Sequence, residues 1–340
     1  MITNNARDTL LECACPSIQY RLRLELLGED SQTNQMQELQ KKILWDKKVQ
    51  EVIAWQQDDG WLAWDFHGQC SIESGIRILC EKGISPANPV LAKALQALEA
   101  HPERTVRGLG KVGPFLDENA LGGSNMIRAV VYAYAGVEQL PFIQQQIQQA
   151  LDGFRAVLNI HTIDDLVEPY HDHLILRKGL IWPSLYHLRL LASTHSWRNP
   201  DNLELFGRSL TRLVELSPIP AFYVRKRSQL IAPASFCMDH FAPRLDTLDD
   251  MHWMMWFQRM EFLARTGVVH LVPALQSQII ELQNYLDSGK GLFTLPLNHR
   301  YFREWNAYTG LMLENDWRTP QRRINDLSFR SLLIQHYAAE

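Results

Sequence analysis

The chain has 340 residues, enough to bury a sizeable core, and its 46% hydrophobic and 21% charged residues are an ordinary globular balance. Its 38 acidic and 34 basic side chains leave a net charge of −4, so no strong field favours nucleic acid or an anionic membrane surface. No stretch reaches the roughly 18 apolar residues of a spanning helix, the first residues lack the basic-then-apolar order of a secretory signal, and the five cysteines read as reduced thiols, so a cytoplasmic protein is expected.

Strand signals are scarce and helical spacing is frequent. Residues 1–35 read as a lead-in helix. Met36, Leu39, Ile43 and the run Val49 to Ile53 form a first apolar stripe. Val90, Leu91, Ala94, Leu95 and Leu98 form a second, and Ile143, Ile147, Leu151, Phe154 and Leu158 a third. Leu203, Phe206, Leu210, Leu213 and Leu216 form a fourth, and Leu271, Leu275, Ile279, Leu282 and Leu286 a fifth. Each stripe is followed by a turn and a second helix, expected near 71–82, 124–135, 184–193, 251–265 and 301–314. Segment 217–246, with Pro218, Pro220, Pro233 and Pro243, reads as an insertion loop, a length of irregular chain that is usually functional. A basic turn at 316–327 precedes a closing helix over 327–337.

The second helices recur at intervals of roughly 50 to 70 residues, which marks stacked supersecondary units. A lone helical hairpin cannot bury both apolar faces, so neighbours must stack. The expected fold is all-α: one domain over 1–340, about five to six helical hairpins forming an α/α toroid, with a complete or incomplete ring. An open solenoid is the alternative.

The run Gln56-Gln57-Asp58-Asp59-Gly60-Trp61 resembles the Q-x-x-x-G-x-W turn of squalene–hopene cyclases and the D-G-G-W turns of protein prenyltransferase β subunits. Gly108 to Phe115 and Gly289-Lys290-Gly291-Leu292-Phe293 are weaker echoes at equivalent places. The resemblance covers residues 36 to 318 as a pattern and implies a toroid of the prenyltransferase/squalene-oxidase-repeat type. The family's reaction does not follow with it. Asp246-Thr247-Leu248-Asp249-Asp250 is one residue out of register with the cyclase D-x-D-D, and Cys237-Met238-Asp239-His240 reverses the zinc-binding D-x-C order.

Asp249 and Asp250 are the expected catalytic acids, since a carboxyl beside apolar walls has a raised pKa and can donate a proton. The competing reading makes Thr247 the N-cap, with Asp250 at the third helical position. His252, Trp253 and Trp256 follow on the same helix, and with Trp182, Tyr186, Trp305 and Tyr308 they are assigned to the wall of an apolar cavity. His67 is assigned to the ligand as well, with Glu73 and Arg77 beyond it at ion-pair spacing. Glu168-Pro169-Tyr170-His171-Asp172-His173 and Asp164-Asp165 read as polar surface chain, and no metal site is assigned. These readings imply a protein that binds a small apolar molecule, isoprenoid by resemblance. A helical-repeat scaffold for a protein partner and a carbohydrate-active enzyme are the alternatives.

Overall fold

In the computed structural model, which describes residues 4–339, sixteen α-helices account for most of the ordered chain. Helix makes up 57% of the residues, and sheet is confined to two short hairpins, so the fold is all-α. The chain divides into two compact units. The first comprises residues up to Gly108, Asp249–Phe257 and the chain from Ile279 on; the second comprises Leu109–Leu248 and Gln258–Gln278.

The first unit begins with α1 (Asn4–Cys13) and α2 (Pro16–Arg21), followed by a π-helical turn at Leu22–Leu26. The single lead-in helix expected over 1–35 is broken because Pro16 forces Cys15 into extended backbone and then starts a new helix at its first position. The stripe from 36 to 53 is likewise two helices, α3 (Asn34–Ile43) and α4 (Lys47–Ile53). Asp46 divides them: its carboxylate accepts from the backbone N–H groups of Lys48 and Val49 and so caps α4.

The turn after α4 is anchored to the next hairpin. Gln56 Nε2 donates to the carbonyls of Gly60 (3.1 Å) and Val90 (2.8 Å). Gly60 has φ +90°, and a Cβ there would lie 2.7 Å from the Lys93 carbonyl oxygen, so only glycine fits. Trp61 is fully buried with the Arg104 guanidinium 5.3 Å from its ring centroid. Its indole N–H has no acceptor among the described residues, contrary to what burial of an indole usually brings. α5 (Ile72–Glu81) follows, capped by Ser71 and buried from Ile72 to Leu79. α6 (Pro89–Ala100) is amphipathic, burying Leu91, Ala94, Ala97 and Leu98.

The second unit repeats this contrast. It opens with α7 (Val112–Glu118) and α8 (Ser124–Tyr134), the latter buried along nearly its whole length. α9 (Pro141–Val157) buries one stripe, from Ile143 to Val157. Short α10 (Ile163–Leu166) leads into the hairpin β1 (Val167–Tyr170) and β2 (His173–Leu176). α11 (Leu185–Ser193) is buried from Leu185 to Ala192, and α12 (Pro200–Leu216) again buries one stripe. Phe154 of α9 meets Phe206 of α12 edge-on at 4.6 Å. Largely buried helices (α5, α8, α11) thus alternate with amphipathic ones (α6, α9, α12).

Segment 217–246 carries the hairpin β3 (Val224–Lys226) and β4 (Gln229–Ile231). It is tied down rather than free: Gln278 Nε2 donates to the Phe241 carbonyl (2.9 Å), Arg259 donates to the Cys237 carbonyl (2.9 Å), and both Phe241 and Cys237 are fully buried.

α13 (Asp250–Arg265) and α14 (Pro273–Ser288) fall where expected. The helix expected over 301–314 does not form. Only one turn, α15 (Arg300–Arg303), is helical, and irregular chain follows before α16 (Pro320–Ala338). The cause lies far away in sequence. Arg77 of α5 donates to the carbonyls of Asn306 (3.0 Å), Thr309 (2.9 Å) and Gly310 (2.9 Å), holding them out of any helical ladder. Gly310, at φ +101°, lies against the Trp305 ring, which a Cβ would approach to 2.6 Å.

One buried histidine makes the second unit acid-sensitive. Ser184 caps α11, and its backbone N–H donates to His187 Nδ1 (2.9 Å), so the ring proton sits on Nε2. Burial alone pushes His187 down to about 3. The unfolded chain therefore takes up a proton that the folded chain refuses. The stability this neutral ring supports is complete above about pH 6.5 and falls by about 1.4 kcal/mol per pH unit as pH drops towards 3. His187→Gln keeps an S-x-x-Q capping pattern without the titrating group. Urea unfolding between pH 7 and 4.5 should show a shallower loss in the variant, and equal losses in both proteins would rule out this origin.

Candidate acid–base site

The clearest convergence of reactive side chains is at the start of α5, within the first unit. Glu73 sits in the first turn, where the helix dipole favours its negative charge. Its side chain is 1% exposed, and Oε2 lies 2.6 Å from Nδ1 of His67, whose side chain is 11% exposed. A carboxylate only accepts, so Nδ1 donates to it, and in the neutral ring Nε2 is the nitrogen that keeps its lone pair. On that side lies Tyr308, its hydroxyl 3.5 Å from Nε2 and its ring edge-on to the imidazole at 5.6 Å.

Tyr308 is positioned by a turn that closes on itself. Asn306 Oδ1 accepts from the backbone N–H groups of Tyr308 (2.7 Å) and Thr309 (2.9 Å), and Thr309 Oγ1 donates to the Glu304 carbonyl (2.6 Å). The three Arg77 hydrogen bonds to this turn fix it from below. Glu73 and Arg77, expected to meet as an ion pair, thus serve two parts of one site: Glu73 orients the imidazole, and Arg77 secures the loop bearing Tyr308. The unit this makes is a carboxylate, an imidazole and a hydroxyl in series, able to accept and return a proton at Nε2.

The two expected acids occupy other roles. Asp249 is the N-cap of α13. Its Oδ1 accepts from the His252 backbone N–H (2.9 Å) and lies 2.8 Å from His252 Nδ1. The backbone bond from His252 holds the carboxyl below the usual carboxylate range, which is the opposite of a proton donor kept neutral. With its side chain 65% exposed, Asp249 has no apolar wall to raise it. Thr247 is not the cap; its hydroxyl donates to the Arg244 carbonyl (2.8 Å). Asp250 Oδ2 accepts from the Asn298 backbone N–H (2.7 Å), tying the chain before α15 to α13.

The aromatic assignments divide by unit. Trp253 and Trp256 lie edge-on at 5.3 Å, and Trp253 also meets Phe257, Tyr285 and Phe293 at 5.3–5.6 Å, so both indoles are core of the first unit. Trp305 is buried with the Arg77 guanidinium 5.2 Å from its ring. His252 is exposed beside Asp249. Trp182 and Tyr186 are buried in the second unit, Tyr186 with the Arg189 guanidinium 5.4 Å away. His67 and Tyr308 are the assigned pair that the fold brings together with a carboxylate.

A second ionisable cluster had no signal in the sequence. Lys82, 1% exposed, donates to Asp46 Oδ2 (2.9 Å) and the Leu313 carbonyl (2.5 Å). Nearby, burial pushes Asp326 up to about 7 although Leu313 N–H and the Trp317 indole donate to it, and burial also raises Glu314. Asp46, Lys82, Trp305 and Glu314 line a cleft of about 200 Å³. The polar chain at 164–173 is capping and hairpin: Asp165 accepts from the His161 and Thr162 N–H groups in the capping box of α10, whose N-cap is Thr162, and His171, at φ +52°, makes the turn between β1 and β2. Among the described residues no three His, Cys, Asp or Glu side chains are grouped to hold a metal ion, and no helix is long and apolar enough to cross a membrane.

No protein-family model, curated protein or solved structure matches the chain.

Proposed function

We propose that this chain is an enzyme that moves a proton at His67, built on a divergent form of the prenyltransferase/squalene-repeat hairpins that its Gln56–Trp61 turn resembles. One observation carries the reading: a buried carboxylate holds a partly exposed imidazole at 2.6 Å, while a tyrosine hydroxyl faces the other ring nitrogen. Glu73 orients His67, Nε2 acts as base and then as acid, and Tyr308 supplies a hydroxyl to the reacting group. Ordinary structural use of a histidine does not require a carboxylate 1% exposed behind it.

The test has an arm that needs no substrate. Diethyl pyrocarbonate should acylate His67 in the folded protein, and faster as pH rises through the imidazole range. The second arm is a panel of activated esters, glycosides, and isoprenoid alcohols and diphosphates, the last two added by the resemblance. Turnover of any member should fall about 10²–10⁴-fold in His67→Ala. It should fall less steeply in Glu73→Gln, with a changed pH profile. Turnover indifferent to His67→Ala, or a folded protein in which His67 is never acylated, overturns the reading.

A further inference from the structure

We infer that Arg107, stacked on Trp64, is the arm that takes an anionic group, carboxylate or phosphate, of the molecule on which His67 acts; this rests on the proton-transfer reading of His67. The argument begins with two stretches of backbone. The Arg107 carbonyl accepts from the Phe66 N–H at 3.2 Å. The next residue, Gly108, has φ +79°, and a Cβ there would lie 2.3 Å from the His67 carbonyl oxygen. Arg107 and Gly108 therefore run in direct contact with Phe66 and His67, and any side chain at 108 would force them apart.

From that position the Arg107 guanidinium lies over Trp64, 4.2 Å from the ring centroid. Trp64 is 66% exposed, while Trp61, three residues earlier, is fully buried. Leaving so large an aromatic surface in water forgoes the burial that its neighbour obtains. What the exposed ring provides is a flat support that orients a guanidinium.

The guanidinium has no carboxylate partner among the described residues, and three acids from the same stretches of chain are engaged elsewhere. Asp59 pairs with Arg104 at 2.7 Å, Glu103 lies 3.3 Å from His101, and Glu73 holds His67. Arg104 shows the contrast: it lies inside the short helical segment Pro102–Val106 that Arg107 closes, and its guanidinium is ion-paired with Asp59. Arg107 thus keeps a planar fork of N–H donors, pre-oriented by Trp64 and unspent, beside the main chain of the proposed base. That fork matches the two oxygens of a carboxylate or phosphate. An anion held there would sit beside the main chain of Phe66 and His67.

The experiment titrates the whole protein with inorganic phosphate and, separately, with acetate, at constant ionic strength balanced by chloride, because screening alone changes weak anion binding. Tryptophan emission is the readout. Wild type should show a saturable change with at least one oxyanion and none with chloride, and the preferred oxyanion tells phosphate from carboxylate. Binding should be at least tenfold weaker in Arg107→Gln, and the emission change should vanish in Trp64→Phe. Equal binding in wild type and Arg107→Gln overturns the inference, as does the absence of any saturable response in wild type. Arg107-dependent binding beside a His67 that resists acylation keeps the anion arm and removes the proton-transfer reading. Acylation of His67 without any anion response does the reverse.

Discussion

Arg77→Met is expected to destabilise the first unit by about 3–5 kcal/mol, although methionine fills much of the same volume. The side chain is 1% exposed and gives its guanidinium to the carbonyls of Asn306, Thr309 and Gly310. Those carbonyls belong to irregular chain, and only that of Thr309 accepts a second bond, from the Asn306 N–H at 3.3 Å, so those of Asn306 and Gly310 are left without a partner once the donors are gone. Each buried acceptor left unpaired costs about 1–3 kcal/mol, offset in part where water reaches it. The Trp305 ring also loses the cation beside it. Urea unfolding measures the total, and amide hydrogen exchange should show protection lost first around 304–311. A variant with unchanged midpoint and unchanged exchange there would show that the loop is held by other means. Because this loop carries Tyr308, the same variant should weaken any activity that depends on the His67 hydroxyl contact.

Trp61→Ala is expected to cost about 3–5 kcal/mol, the range for truncating a large buried aromatic. The ring is fully buried, and the turn that bears it is fixed on both sides: Gln56 reaches the Val90 carbonyl, and Asp59 accepts from the Trp61 backbone N–H (3.0 Å) while pairing with Arg104. The cavity has little means of collapse, because Gly60 already presses on the Lys93 carbonyl. The indole N–H has no acceptor among the described residues, so the loss is one of packing and not of a hydrogen bond. Thermal unfolding should therefore shift strongly, with anion binding at Arg107 retained in the folded fraction. Intact thermal stability joined to weakened binding would move Trp61 from the core to the ligand.

Helices were legible wherever one face alternates with solvent. The stripes at 90–98, 143–158 and 203–216 give α6, α9 and α12 because a three-to-four-residue repeat of apolar side chains permits little else. The same repeat misled at 301–314, where Tyr301, Trp305 and Tyr308 have helical spacing. Their backbone is set by Arg77, more than two hundred residues away, and no local period can report such a partner. The capping role of Asp249 was hidden for a related reason. Asp249 and Asp250 stand before an aromatic helix, but the chain enters that helix at Asp249 itself, and a capping carboxylate is held ionised by the N–H groups it accepts. His67 was visible as a polar residue after an aromatic turn. Its strength as a site depends on Glu73 turning towards it and on a tyrosine supplied by the far end of the sequence.

That far end bears on how the molecule is made. The first unit draws on three stretches of sequence, with Leu109–Leu248 complete before the second and third of them. As the polypeptide leaves the ribosome, α5 emerges with Arg77 lacking its acceptors at Asn306, Thr309 and Gly310. A buried cation without its partners is a strong penalty against early closure. Closure of the amino-terminal helices around Arg77 is therefore expected late in synthesis, when the second unit already has most of its chain. A stop codon shortly before residue 306 would leave the proposed base without Tyr308 and α5 without its anchor, so late truncations should damage the beginning of the protein more than its middle.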